Sequence, residues 1–194
     1  MHELMPAARA SLIPLLWLAW VLYWWLGAGP LKAVQKRESP AQRASHGLPL
    51  LAAALLFLLP RRALGPLAAP FMPYTWGDYG NAVLLVALGL GFAVWARRHL
   101  GANWSAAVTL KQEHTLVQSG PYRRLRHPIY TGLLLAIAGS ALALAQWRGL
   151  LALLLVTGSL LFKLRREERW MLERFGDAYR AYRARSWALL PGIY

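Results

Sequence analysis

The chain contains no cysteine, and only 8 of its 194 residues are acidic. The first absence excludes disulfides, thiolate metal sites and a cysteine nucleophile. The shortage of acids, set against 22 Lys and Arg, leaves a formal charge of +14 at pH 7. No internal repeat or low-complexity tail is present. Such a basic chain is a candidate nucleic-acid binder, but its apolar content argues otherwise. Hydrophobic residues make up 57% of it, and long apolar runs need a non-aqueous home. No nucleic-acid partner is therefore expected. There are ten tryptophans. Trp17, Trp24, Trp25, Trp95 and Trp147 fall near the ends of apolar runs, where they anchor a bilayer interface.

Five apolar runs stand out, over residues 11–29, 47–64, 79–96, 128–145 and 149–164. The first follows a sparsely charged start, MHELMPAARA, and is too long for the core of a cleavable signal, so it reads as a span. The second is short before Pro60 and must thin the bilayer or extend past Arg61 and Arg62 by snorkelling. Only Gln146, Trp147 and Arg148 separate the last two runs, which makes them a tight helical hairpin. Segments 31–46, 97–127 and 163–185 hold every Lys and Arg except Arg9, Arg61, Arg62 and Arg148. Alternating spans put those three segments on one side, the cytoplasmic one by the positive-inside rule. The expected fold is an all-α integral membrane protein of about five transmembrane helices, with a C-terminal helical hairpin and a cytoplasmic amphipathic tail helix. It forms one membrane domain, with three spans in residues 1–96 and a two-span core in 97–194. The N-terminus is then outside, in the bacterial inner membrane or an equivalent one, with membrane lipids as neighbours.

Two stretches carry chemistry. In SGPYRRLRHPIYTG, residues 119–132, Gly120-Pro121 marks a turn and Pro128 suits the first turn of a helix. Arg126 and His127 therefore flank the start of the fourth span, with Tyr130 on about the same face as His127. A helix N-terminus beside Arg and His suits an anion, or it is a basic membrane stop with a capping histidine. In KLRREERWMLERFGDAYRAY, residues 163–182, a helical wheel places Leu164, Met171, Phe175, Tyr179 and Tyr182 in one arc. Glu168 falls inside that arc and Glu167 at its edge. A carboxylate among packing residues is costly unless partnered; the plainer reading is an amphipathic surface helix. The hairpin brings both stretches to the same end. A cationic ligand with hydroxyls and an aromatic base suits such a site.

These motifs together resemble the isoprenylcysteine carboxyl methyltransferase family, which is related to the phospholipid methyltransferases. They are Arg126-His127-Pro128-x-Tyr130 and, after the apolar hairpin, Glu167-Glu168. Gly120-Pro121-Tyr122 lies upstream, as do Leu100-Gly101 and Trp104-Ser105. Phe175-Gly176-x-x-Tyr179-x-x-Tyr182 closes the series. The likeness covers roughly residues 97–191. It implies S-adenosylmethionine bound without a Rossmann domain, touched by His127, Tyr130, Glu167 and Glu168. The backbone around Leu116 and Val117, ahead of Gly120, Pro121 and Tyr122, would sit near the adenine. No metal is implied. The expected reaction is methyl transfer to a lipophilic or lipidated acceptor, such as a prenylcysteine carboxylate, with Arg126, Lys163 and Glu168 as candidate catalytic residues.

Three other functions fit the same pattern. A phospholipid N-methyltransferase would need a base such as Glu168. An NADPH-dependent reductase of the sterol type would need a seat for the extra phosphate. A non-catalytic membrane protein would keep only the fold. The histidines His2, His46, His99 and His114 show no ligand spacing and read as loop residues. Gly89-x-Gly91 reads as helix packing.

Overall fold

The structure is a computed structural model that describes residues 4–27, 34–73, 75–101, 109–111 and 115–192. His2, Trp104, Ser105 and His114 lie outside them. Six α-helices and one two-stranded ribbon follow in order among these residues: α1 (Leu4–Leu26), β1 (Val34–Arg37), α2 (Pro40–Leu58), α3 (Trp76–Leu100), β2 (Thr109–Lys111), α4 (Pro128–Leu144), α5 (Trp147–Phe175) and α6 (Asp177–Ala184). The helical expectation holds, with the antiparallel β1–β2 pair as an addition. That ribbon joins the first and third loops, which therefore meet at one end of the bundle.

Helices α3 and α4 are packed through small residues, the usual device where lipid removes the hydrophobic drive between helices. A Cβ on Gly89 would come within 2.5 Å of the Gly132 carbonyl oxygen. Nothing lies within 4 Å of a Cβ on Gly91, so only the first glycine of that pair is a packing residue. Helix α1 covers this unit. Trp17 Nε1 donates to Ser140 Oγ at 3.0 Å, and Arg97 Nη2 donates to the Gly27 carbonyl at 2.8 Å from above the Trp24 ring. Arg97 thus satisfies a backbone acceptor at the end of α1. Helix α2 packs on α5 through Ala53, Leu56, Ala152, Val156 and Leu160.

Where the boundaries differ from expectation, local capping explains it. Helix α2 begins at Pro40, earlier than residue 47, because Ser39 and Gln42 form a capping box. It stops at Leu58, so it does not run past Arg61 and Arg62, which lie in a 3-10 turn. The fifth run and the first part of the tail are one rod ending at Phe175. Gly176, at φ +50°, breaks it and starts α6. Asp78 caps α3 with Thr75. His46 is buried inside α2 and His99 sits in the last turn of α3; neither is a loop residue.

Two helices, Gly77–Leu100 and Trp147–Phe175, are long and apolar enough to cross a membrane, and Leu12–Leu26 and Pro128–Leu144 are shorter apolar helices. Exposed leucines line the outside, among them Leu15, Leu18, Leu51, Leu58 and Leu154. A surface this apolar fits lipid better than water.

At the end away from the ribbon, Arg148 is 6% exposed. It donates to the carbonyls of Leu59 at 2.8 Å and Leu56 at 3.3 Å, and through Nε to Gln146 Oε1. It thus completes the C-terminus of α2 from the first turn of α5. Arg148→Gln leaves those acceptors unpaired and costs about 1–3 kcal/mol. The expected result is a lower melting temperature in detergent, whereas Arg62→Gln, exposed in the 3-10 turn after α2, leaves it unchanged.

Candidate functional site

The segment before α4 is fixed by the tail of the chain. Arg126 and His127 donate their backbone N–H groups to the carbonyls of Trp187 and Ala188, at 2.8 and 3.0 Å. Trp187 N donates back to the Arg124 carbonyl at 2.9 Å. This short parallel bridge and the bond from Thr131 Oγ1 to the Leu189 carbonyl strap residues 186–189 across the start of α4. Sequence reasoning missed the strap, because backbone pairing leaves no residue signature. Tyr182 Oη adds a further tie, donating to the carbonyl of Tyr122 at 2.5 Å. Burial pushes its pKa up to about 12, so it stays a neutral donor.

Against this frame the expected residues come together. Arg126 Nε donates to Glu168 Oε1 at 2.5 Å, and both side chains are 10% exposed. Arg126 Nη1 also donates to the Ser186 carbonyl. Tyr130 Oη donates to Glu167 Oε1 at 2.6 Å. The His127 ring stacks on Tyr130, with centroids 5.4 Å apart and planes 3° apart. His127 Nδ1 lies 3.4 Å from Glu167, and Nε2 lies 3.5 Å from Glu168 Oε1. Nε2 is in ion-pair range but has no hydrogen-bond geometry to any described residue. Lys163 Nζ sits 5.5 Å above the Tyr130 ring. Arg183, not singled out from the sequence, approaches Glu168 at 3.6 Å.

Gly120, Pro121 and Tyr122 form a 3-10 turn beside this cluster. Gly120 is at φ +55°, and a Cβ there would meet the His99 ring at 2.6 Å, so the turn needs glycine on both counts. Val117 packs against the buried cluster of Ala93, Ala96, Tyr122 and Ile129. Leu116 precedes it, half-buried.

Burial opposes the charged form of His127, but the carboxylates of Glu167 and Glu168 beside its ring outweigh it, and its pKa lies above the ordinary 6.5. Stabilisation from the protonated ring is then fully present below about pH 6.5, the unfolded value, and fades as pH rises through the raised native value. The melting temperature is expected to fall over that rise. His127→Gln should flatten this part of the profile. An unchanged slope in the variant would show that another group titrates there.

A second buried carboxylate was not foreseen. Glu38, whose side chain is fully buried, bridges Arg166 Nη1 at 2.5 Å and His46 Nε2 at 3.1 Å. It locks the N-terminus of α2 to α5 one residue before Glu167. Its sequence signal was its rarity, an acid in a basic loop beside the Ser39 cap. Among the described residues no group of His, Cys, Asp and Glu is arranged to hold a metal.

The profile of the phospholipid methyltransferase family matches residues 79–178, from α3 through the glutamate pair to the start of α6. The chain belongs to the phospholipid methyltransferase family. One solved structure with a similar fold is that of a eukaryotic intramembrane Ras methyltransferase, isoprenylcysteine carboxyl methyltransferase. It aligns with a TM-score of 0.51 at 22% identity, over 82% of this chain and 55% of that one. The likeness is one of fold, and the chain spans little more than half the length of that relative. No curated protein matches the chain.

Proposed function

We propose that this protein is an S-adenosylmethionine-dependent methyltransferase. It acts at the cytoplasmic membrane face, with α1 to α5 crossing the bilayer, on the carboxylate of a prenylcysteine-like lipid. The observation that carries the acceptor chemistry is that both glutamates are engaged. Glu168 faces Arg126, His127 and Arg183, and Glu167 faces Tyr130 and His127. Neither stands ready as a general base. An ionised carboxylate acceptor needs none, because its own lone pair attacks.

The residues present fit the cofactor, which supplies a methyl group on a cationic sulfonium. His127 Nε2 is a buried polar atom without a hydrogen bond among the described residues, and the two carboxylates around it suit a cation with hydroxyl groups. The Tyr130 ring, stacked on His127, is the aromatic group of the cluster. Leu116, Val117, Gly120, Pro121 and Tyr122 would form the wall for the adenine. Arg126 holds Glu168 in place and is best read as a positioning residue. Lys163, whose Nζ sits 5.5 Å from the Tyr130 ring centroid, would orient an acceptor carboxylate. Catalysis then rests on alignment and exclusion of water.

A second acceptor is a phospholipid amine, favoured by the name of the matching family. A neutral amine must lose a proton, and Glu167, with a side chain 24% exposed, would take it in preference to Glu168. The test supplies purified protein and methyl-labelled S-adenosylmethionine with a farnesylcysteine analogue or with phosphatidylethanolamine. The expected product is a base-labile methyl ester on the cysteine analogue. Alkali-stable label on phosphatidylethanolamine alone would overturn the acceptor assignment. No transfer to either, with no cofactor binding, would overturn the whole reading.

A further inference from the structure

Beside the proposed methyl-transfer residues lies a concavity of about 590 Å³, lined by Gln118, Ser119, Gly120, Arg123, Arg124 and Arg185. Its lining holds three guanidinium groups and no carboxylate. Arg185 is held in place by Gln118 Oε1, a neutral acceptor that leaves its charge uncompensated. Glu168 is engaged with Arg126 and Arg183, and Asp177 with Arg180. Like charges gathered in one groove repel, and a shared anion relieves that repulsion. Guanidinium groups match phosphate oxygens in geometry as well as charge.

The groove's place in the fold selects the source of the phosphate. It adjoins the 3-10 turn just before α4, an apolar helix, and so lies at the level where a helix leaves the hydrocarbon. Trp187 and Leu190, 38% and 47% exposed, follow Arg185 in the chain. An exposed tryptophan and leucine beside arginines are the make-up of a bilayer interface.

We infer that this groove binds the phosphate of an anionic phospholipid headgroup from the adjoining leaflet. Its arginines are none of the residues assigned to methyl transfer, although Gly120 is shared with the proposed adenine wall, and the inference rests on the membrane reading of the chain but not on its chemistry. A lipid held here would dock the strap of residues 186–189 against the membrane.

The test is native mass spectrometry of the detergent-purified full chain after exposure to equimolar phosphatidylglycerol and phosphatidylcholine. It is run on the wild type, Arg123→Gln/Arg124→Gln and Arg123→Lys/Arg124→Lys. The wild type should retain one phosphatidylglycerol in at least about tenfold preference, which the glutamine pair abolishes and the lysine pair partly keeps. Excess inorganic phosphate should leave the lipid in place. Equal retention of both lipids, or a glutamine variant with an unchanged melting temperature that still prefers phosphatidylglycerol, would overturn the proposal. Displacement by inorganic phosphate would also overturn it, marking a site for free anions. Retention by a wild type that binds no S-adenosylmethionine would uphold this inference while the proposed function failed.

Discussion

Glu168→Gln is expected to weaken S-adenosylmethionine binding by at least about 100-fold and to lower the melting temperature. The glutamate is the only carboxylate among the described residues in contact with Arg126, His127 and Arg183 together. Glutamine keeps the size but removes the charge, which leaves the Arg126 guanidinium, nine-tenths buried, without its counter-ion. Breaking one side of a buried pair costs about 3–5 kcal/mol, and a loss of that order, felt at a neighbouring ligand, accounts for the fold-change. Arg126→Gln should do comparable harm. The double variant should lose less than the two single losses combined, because the second substitution removes the orphaned charge. Titration calorimetry and thermal melts check both statements. Glu173→Gln, on the exposed side of the same helix, is the control and should bind the cofactor as the wild type does. Equal binding by wild type and Glu168→Gln would remove the glutamate from the site.

Gly132→Leu is expected to be the most damaging single change in the bundle. Its Cβ would sit 2.5 Å from the Gly89 carbonyl oxygen and 2.8 Å from Ala93 N. Both are backbone atoms, which cannot turn aside. Helices α3 and α4 must separate or shift. Overpacking a tight core typically costs about 1–3 kcal/mol and occasionally more, and contact with backbone puts this site at the high end. A melting temperature lower by about 10 °C is expected, at roughly 2–4 °C per kcal/mol for a chain of this size. Because α4 carries Tyr130 and follows His127 directly, cofactor binding should fall with it. Gly91→Ala meets nothing within 4 Å and should melt no lower than the wild type. Equal damage from both would mean that helix propensity, not the α3–α4 contact, governs the effect.

How much of this was legible in the sequence depended on the kind of signal. The hairpin was readable because Gln146-Trp147-Arg148 is too short for anything but a turn between apolar runs. The meeting of the two polar stretches was readable because Glu168 falls among packing residues, where a carboxylate must have a partner; the structure supplies Arg126. Local capping decided what was misread. Ser39 and Gln42 start α2 within a polar stretch that hydropathy alone assigns to a loop. The continuity of α5 through Arg165 and Arg166 was hidden because the composition turns polar there while the backbone does not change. Contacts distant in sequence were invisible. The strap from Trp187 to Leu189 uses main-chain groups, and Glu38, which precedes the residues that the family profile covers, meets Arg166 across 128 positions.

The central claim is that the cluster of His127, Tyr130, Glu167 and Glu168 binds S-adenosylmethionine. Calorimetric titration of the detergent-purified wild type with S-adenosylmethionine, and separately with NADPH, tests it most directly. The account predicts saturable binding of S-adenosylmethionine near one per chain and none of NADPH. A folded protein that binds NADPH, or neither ligand, would contradict it.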